Sequence, residues 1–121
     1  MLNAAVIGSA ARSEQIALWI KQYCNSVNIS ADVELFRNAG DTIGSGLTPG
    51  IVFICTGGAE GFLDARQIRD ADKNCRIVFV DSTDEYVIKG IRLHFSDYIV
   101  CPVEFKHIVR AMRLCGVGDS R

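Results

Sequence analysis

The 121-residue sequence has no excess of charge of either sign and no apolar run long enough to span a bilayer. Its 13 lysines and arginines oppose 14 aspartates and glutamates, which gives a net charge of −1 and an isoelectric point of 6.1. Binding of nucleic-acid phosphates needs a basic surface, and a membrane-spanning helix needs about 20 apolar residues. We therefore expect no direct nucleic-acid contact and no membrane insertion.

The N-terminus also lacks the features of a secretory signal. Residues 1–15, MLNAAVIGSAARSEQ, contain only a short apolar stretch, and no basic segment precedes it. A signal peptide needs both a basic segment and a longer apolar core, so we expect a cytoplasmic protein. The length fits one domain of about 100–150 residues, and 49% of the residues are hydrophobic. We expect a single domain over residues 1–121, with a linker beginning at 117–121.

Cysteine is present but forms no recognisable metal or redox motif. The sequence contains no C-x-x-C pair and no Cys/His grouping at zinc spacing, and the number of cysteines is odd. In a reducing compartment we expect free thiols that are mostly buried as small hydrophobic residues, with no bound metal and no cofactor. The five cysteines are Cys24, Cys55, Cys75, Cys101 and Cys115.

Two glycine-containing turns lack the residues of known phosphate-binding loops. Gly8-Ser9 is not followed by further glycines at dinucleotide-binding spacing, and Gly57-Gly58 is not followed by Gly-Lys-Ser/Thr. Both segments therefore predict tight turns between a strand and a helix. An open α/β sheet binds ligands at this edge, so a small-molecule site stays open as an alternative.

Short apolar runs alternate with helical patterns along the whole chain. Residues 4–7, 51–55 and 76–80 are predicted to be strands buried on both faces, residues 31–35 a half-exposed edge strand, and residues 97–100 a further strand. The segments after them repeat apolar residues every three or four positions, as helices do. Five strands alternating with five helices predict a flavodoxin-like, doubly wound parallel sheet in the order 2-1-3-4-5, with helices on both faces.

Two of these helices carry specific expectations. For the fourth helix, Asp81 or Ser82 is the predicted N-terminal cap. The third helix is predicted to follow the turn Thr56-Gly57-Gly58. Its predicted inward residues are Phe62, Ala65 and Ile68, and its predicted outward residues are Asp64, Arg66 and Arg69.

Residues 77–103, IVFVDSTDEYVIKGIRLHFSDYIVCPV, combine a strand, an acidic-Tyr helix start and an Asp-Tyr-aliphatic-aliphatic-x-Pro-Val segment. This pattern, with the helix EGFLDARQIRDAD from Glu60, resembles response-regulator receiver domains of the CheY-like kind, above all those that precede LytTR DNA-binding domains. The N-terminal half resembles them in its strand-helix rhythm. The resemblance implies a non-enzymatic signalling domain of a two-component system or phosphorelay.

The family's phosphorylation residues are replaced in this sequence. Receivers hold Mg²⁺ with an acidic pair after the first strand, where this chain has Gly8 and Ser9. The acceptor aspartate that ends their third strand is Cys55 here, their Thr/Ser after the fourth strand is Asp81, and their lysine before the proline is Cys101. Mg²⁺ prefers carboxylate oxygens, and phosphoryl transfer needs cations around the transferred group. We therefore interpret these residues as a vestigial phosphorylation site.

The function expected from these departures is that of a pseudo-receiver, which signals through protein contacts without aspartyl phosphorylation. Two alternatives stay open: the regulatory N-terminal half of a LytTR-type transcription regulator, and a small-ligand or thiol-redox sensor at the vestigial pocket. A Cys55–Cys101 disulfide is disfavoured, since an intervening strand puts the backbones about 9–10 Å apart, beyond the reach of about 7 Å.

The resemblance also implies a surface for pairing. Receivers pair through the fourth helix, the fifth strand and the fifth helix, so we expect a homodimer or a protein partner to bind there. In the same region the resemblance implies a cis peptide bond before Pro102, and it puts Tyr98 at the position of the family's switch aromatic, where we expect its rotamer to be fixed by packing. The interface candidates are Tyr86, Lys89, Tyr98, Lys106 and Arg110.

Overall fold

The structure is a computed structural model that describes residues 1–8 and 11–118, so Ser9 and residues 119–121 of the expected linker lie outside the described residues. Strands and helices alternate along the described chain. The strands are β1 (Leu2–Ile7), β2 (Ala31–Phe36), β3 (Ile51–Ile54), β4 (Arg76–Asp81) and β5 (Asp97–Val100). The helices are α1 (Ala11–Ser26), α2 (Ala39–Gly44), α3 (Gly58–Ala71), α4 (Val87–Arg92) and α5 (Phe105–Leu114).

The described strands form one parallel sheet in the order β2-β1-β3-β4-β5. This confirms the predicted flavodoxin-like topology, including β2 as an edge strand. The register places Ile7 beside Ile54, and Asp81 beside Val100. The carboxyl ends of the strands therefore meet at one edge of the sheet, where the predicted site residues follow them.

Each central strand buries side chains on both faces of the sheet, as its continuous apolar run predicts. Val6 and Phe53 pack with residues of α1 and α5 on one face, whereas Ile54 and Phe79 pack with residues of α2 and α3 on the other. Full burial of such a side chain contributes about 1.5–3 kcal/mol. In the described residues, no helix is long and apolar enough to cross a membrane.

Asp64 is buried, so its predicted outward position on α3 is wrong. Its side chain lies in contact with α2 and with the turn after β3. The carboxylate accepts hydrogen bonds from the Ala39 backbone N–H at 3.0 Å and from the Thr56 hydroxyl at 2.9 Å. A buried carboxylate is tolerated when both of its oxygens are hydrogen-bonded, and here it ties α3 to the start of α2.

Arg69 is also buried, against the same prediction, whereas Arg66 is exposed as expected. Its guanidinium donates hydrogen bonds to the carbonyl oxygens of Leu93 at 2.9 Å and Cys75 at 2.7 Å. Cys75 lies in the loop that follows α3, and Leu93 lies 24 residues from Arg69 at the end of α4, so the helical pattern of α3 did not reveal these acceptors. Arg69 fixes the loop that follows α4.

The predicted N-terminal cap of α4 is wrong as well. The helix begins only at Val87, and the capping position, Tyr86, makes no side-chain capping hydrogen bond. Asp81 instead ends β4, where its Oδ1 accepts a hydrogen bond from the Ser82 backbone N–H at 2.7 Å. The five residues between β4 and α4 leave the carboxylate at the sheet edge rather than at a helix terminus.

Candidate functional site

Four of the predicted site residues converge at the carboxyl edge of the sheet. The backbone N–H of Cys55 bonds to the Ile7 carbonyl at 2.7 Å, and that of Cys101 bonds to the Asp81 carbonyl at 2.8 Å. A Cβ atom built on Gly8 would lie 3.4 Å from Cys55 Cβ, so this glycine packs directly against Cys55. Cys55 and Asp81 are buried, while Cys101 is half-buried.

Arg12, which the sequence reasoning missed, joins this site from α1. Its Nη2 donates a hydrogen bond to the Cys55 carbonyl oxygen at 2.7 Å, and its Nη1 donates to Cys101 Sγ at 2.9 Å. The guanidinium therefore links the ends of β3 and β5. The sequence did contain an indication of this role. A cation in the first turn of a helix is disfavoured by the helix dipole, so its presence there suggests another interaction, and this turn follows β1 at the same sheet edge.

Gly57 separates Arg12 from Asp81. Its φ is +79°, and a Cβ atom built on it would lie 3.1 Å from Asp81 Oδ1 and 3.3 Å from Arg12 Nη2. The carboxylate and the guanidinium thus approach the same turn from two sides, although no ion pair joins them in the described part of the chain. Any side chain at position 57 would press on both groups.

Buried polar atoms without a hydrogen-bond partner are concentrated at this site. Across residues 1–8 and 11–118 they are Arg12 Nε, Ser13 Oγ and Asp81 Oδ2. Buried polar groups are ordinarily hydrogen-bonded, and small polar sites of this kind take ordered water or a small ligand. Two donors and one carboxylate oxygen at the site are thus left without a hydrogen-bond partner from the described residues.

The thiols at the site differ in accessibility. Burial raises the pKa of the Cys55 thiol to about 12, although the Arg12 guanidinium opposes this shift. Cys55 is thus a neutral thiol near neutral pH, and thiols react as thiolates. All five cysteines are free and all except Cys101 are buried, which confirms the expectation for the group.

The residues present do not fit the Mg²⁺ ion that the receiver resemblance implies. Mg²⁺ needs carboxylate oxygens, and of the matching positions described only Asp81 supplies them. Gly8 has a φ of +144°, and a Cβ atom there would lie 2.7 Å from Ser13 Oγ, so the backbone does not accommodate an acidic side chain. Among the described residues no three His, Cys, Asp or Glu side chains are grouped to hold a metal.

Known proteins resemble this chain in structure rather than in sequence. No protein-family model matches it, and no curated protein matches it. The response regulatory domain of protein mrkE from Klebsiella pneumoniae superimposes with a TM-score of 0.75 at 17% identity, over 95% of each chain. A CheY-like response regulator receiver domain protein from Methanospirillum hungatei has a TM-score of 0.75 at 11% identity, over 93% of this chain and 91% of that one.

The fold is that of a response-regulator receiver domain. A longer protein shares it: the Thermotoga maritima response regulator DrrB, an OmpR/PhoB homolog, has a TM-score of 0.74 at 17% identity. The match covers 96% of this chain but 53% of the DrrB chain. The receiver fold thus corresponds to about half of that protein.

Tyr98, the predicted switch aromatic, is held by hydrogen bonds and packing. Its hydroxyl donates to the Thr83 carbonyl at 2.9 Å and accepts from the Tyr86 backbone N–H at 3.3 Å. Its ring lies 5.2 Å from the ring of Phe79, and burial raises the pKa of its hydroxyl. The side chain is therefore tied to the loop between β4 and α4. The Cys101–Pro102 peptide bond, at the other end of β5, is cis.

The remaining interface candidates fall into two groups. Lys89 lies over the Tyr86 ring, with its Nζ atom 5.5 Å from the ring centroid. Arg110 and Lys106 border a common surface cleft on α5, and Arg110 Nε bonds to Asp97 Oδ2 at 2.9 Å.

Apolar residues of α4 and β5 are exposed, which was not predicted from the sequence. The side chains of Ile88 and Ile91 on α4 are 78% and 68% exposed, and that of Val100 on β5 is 42% exposed. A helix buried on one face shows apolar residues at regular spacing, but here the apolar positions of α4 exceed what the short helix can bury.

Proposed function

We propose that this chain is a degenerate receiver that acts in signal transduction through protein contacts and is not phosphorylated on an aspartate. The observation that carries the proposal is the position of the Arg12 guanidinium, which bonds to the Cys55 carbonyl and to Cys101 Sγ. A side chain of the protein itself thus occupies the space between the acceptor position and the lysine position of a working receiver.

The chemistry of the pocket supports this proposal. Phosphoryl transfer relies on an acceptor carboxylate and on cations placed around the transferred oxygens. Cys55 offers a buried neutral thiol, and Asp81 brings a negative charge where receivers have a hydroxyl. Arg12 is a cation, but both of its Nη atoms already bond to groups of the protein.

The proposal is tested by incubation with acetyl phosphate and Mg²⁺, followed by intact mass spectrometry. We expect no mass gain for the native protein, while a receiver that keeps the acidic pair and the acceptor aspartate gains one phosphoryl group. The Cys55→Asp variant restores the acceptor alone and should also remain unmodified, because Gly8 leaves the metal without a carboxylate. A stoichiometric phosphoryl group on the native protein would overturn the proposal.

We infer that contacts with partners involve the face formed by α4, β5 and α5, hereafter the α4-β5-α5 face, where a second copy or another protein would bind. Support comes from the exposure of Ile91 and Val100 and from the fixed position of Tyr98. As the regulatory half of a LytTR-type transcription regulator, the chain would precede a DNA-binding domain. Coding sequence downstream of Arg121 tests that assignment, and a stop codon there would contradict it.

A second candidate function is thiol-redox sensing, favoured by the contact between Cys101 Sγ and Arg12 Nη1 at 2.9 Å. The half-buried thiol borders an open cleft of about 240 Å³ whose walls include Ile16 and Trp19. Exposure to hydrogen peroxide followed by intact mass spectrometry tests it. A gain of one oxygen that disappears in Cys101→Ser would support this function, and an unchanged native mass would contradict it.

A further inference from the structure

A second surface, separate from the vestigial pocket, lies between α3 and α4. It is a cleft of about 680 Å³ that shares no lining residue with the pocket, and we call it the α3–α4 groove. Cavities of this volume are large enough to bury several side chains of a ligand. The lining residues are Phe62, Arg66, Ile88, Lys89, Arg92 and Leu93.

Phe62 forms the aromatic floor of the α3–α4 groove, and it is firmly packed. The ring of Phe62 stacks on the ring of Tyr86 at 5.3 Å and contacts Phe95 edge-on at 6.5 Å. Phe95 in turn stacks on Phe79 of β4 at 5.1 Å, so the floor continues into the core. A partner that binds there meets a rigid surface and orders few side chains, which favours affinity.

One wall of the groove is an apolar side chain that the fold leaves in water. Ile88 is 78% exposed, although it lies on a helix beside the aromatic floor. Its neighbours on α4, Val87 and Ile91, are 40% and 68% exposed, so the apolar patch extends beyond one residue. A continuous exposed apolar patch with a polar rim is typical of a protein-binding site.

The rim of the groove is positively charged. Arg66 on α3 and Lys89 and Arg92 on α4 line it, and no acidic residue does. Within the described residues none of these three cations forms an ion pair. The whole chain has a net charge of −1, so this concentration of positive charge is local. Complementarity of charge therefore selects an acidic partner.

We propose that the α3–α4 groove binds an acidic amphipathic segment of a partner protein. An apolar side chain of that segment packs between Phe62 and Ile88, while its carboxylates bond to Arg66 and Arg92, whose guanidinium groups suit two-pronged carboxylate binding. The inference rests on the proposed function, because it names the chemistry of one protein contact. The groove shares α4 with the α4-β5-α5 face, but Phe62 and Arg66 on its other side come from α3.

A protein segment fits the groove better than a nucleic acid or a membrane does. Three cations around an apolar wall offer a nucleic-acid backbone few phosphate contacts, and such binding depends on many of them. A membrane surface is bound by a broad apolar face with basic flanks, whereas Phe62 and Ile88 here line a cleft. The pairing of a recessed apolar floor with a cationic rim suits a helix that carries one apolar and one acidic face.

The test uses a fluorescein-labelled helical peptide with leucines on one face and glutamates on the other, added to the full chain and followed by fluorescence anisotropy. We expect saturable binding that Arg66→Glu/Arg92→Glu weakens by about tenfold or more. The control Lys21→Glu/Arg113→Glu makes the same charge change on exposed positions of α1 and α5 and should leave the affinity unchanged.

A second pair of variants tests the apolar wall. Ile88→Ser should weaken peptide binding several-fold, whereas Leu18→Ser, at a side chain 59% exposed on α1, should not. Both side chains are largely exposed, so neither variant should disturb folding. Equal effects of the two substitutions would contradict insertion of the peptide between Phe62 and Ile88.

Four outcomes would overturn the groove proposal. The first is that the acidic peptide does not bind, and the second is that the two charge variants bind it equally well. The third is that the protein prefers duplex DNA or anionic vesicles to the peptide. The fourth is that Arg66→Glu/Arg92→Glu abolishes self-association, because a second copy of the chain would then be the occupant. The acetyl phosphate assay on the same sample separates this failure from failure of the proposed function, since it reports only on the vestigial pocket.

Discussion

The positive charge of Arg12 belongs to the protein itself, so its presence at the pocket does not depend on the binding of an ion. A metal ion must be captured from solution, whereas this guanidinium is carried by α1 and is held by Cys55 and Cys101 at 2.7 and 2.9 Å. It neutralises part of the negative potential of Asp81 and the backbone carbonyls. Under the proposed function, which does not involve phosphorylation, a permanent cation keeps the pocket in one state.

Because the Cys55 thiol is buried, the free energy of unfolding should decrease at alkaline pH. The folded pKa is about 12, against an ordinary value of 9.0. Because the folded pKa is raised, the contribution to stability is complete below pH 9 and is lost as pH rises from there towards 12. Between about pH 8 and about pH 10.5 the loss from this thiol amounts to about 2 kcal/mol.

Urea unfolding of the native protein and of Cys55→Ala at these two pH values measures the effect. The native protein should lose about 2 kcal/mol more than the variant over this interval. Val6→Ala removes apolar atoms from the same buried cluster without removing an ionisable group, so it should follow the pH dependence of the native protein. An identical pH dependence for Cys55→Ala would contradict the assignment.

At the scale of elements, α4 depends on close contact between Gly90 and Phe95. A Cβ atom built on Gly90 would overlap Phe95 Cδ2, and the Phe95 ring cannot move away because it stacks on Phe79. Alanine favours helix by about 1 kcal/mol over glycine, but overpacking a core costs about 1–3 kcal/mol. We therefore expect that the packing cost of Gly90→Ala exceeds its gain in helix propensity and that the substitution lowers the free energy of unfolding.

Thermal unfolding of two glycine variants checks this expectation. Gly90→Ala should lower the melting temperature, while Gly44→Ala in α2, where the built Cβ atom meets nothing within 4 Å, should leave it unchanged or raise it. The stabilisation at Gly44 should reach at most about 1 kcal/mol. A melting temperature raised by Gly90→Ala would show that the loop carrying Phe95 moves freely.

At the scale of the whole molecule, the two surfaces proposed for partners are the α4-β5-α5 face and the α3–α4 groove. For the former we expect self-association in analytical ultracentrifugation, through the apolar exposure of Ile91 and Val100. Ile91→Glu should raise the dissociation constant by about tenfold or more, because it buries an unpaired charge. Leu18→Glu on α1 is the control.

Arg110 provides an independent check of the same dimer. Its ion pair with Asp97 at 2.9 Å fixes the guanidinium on the α4-β5-α5 face. Arg110→Gln should weaken self-association without a large loss of stability, since the pair is partly exposed and such pairs contribute about 0–1 kcal/mol. A native protein that remains monomeric at high concentration would contradict the proposed dimer.

Much of the fold was determined by the sequence alone. Continuous apolar runs at residues 4–7, 51–54 and 77–80 require cover on both faces of the sheet, and helices between parallel strands provide it. The same reasoning places Cys55, Asp81 and Cys101 at one edge, because parallel strands end there together. These inferences need only local pattern and chain order.

Only the tertiary structure decided which polar side chains enter the interior. Arg12 finds its acceptors 43 and 89 residues away, and Arg69 finds carbonyls in two separate loops. Asp64 is buried because the start of α2 supplies a donor. A long side chain adopts one conformation only when distant backbone groups come within hydrogen-bonding distance, and helical periodicity contains no information about those groups. The α3–α4 groove arises in the same way, since it exists only where two separate helices meet.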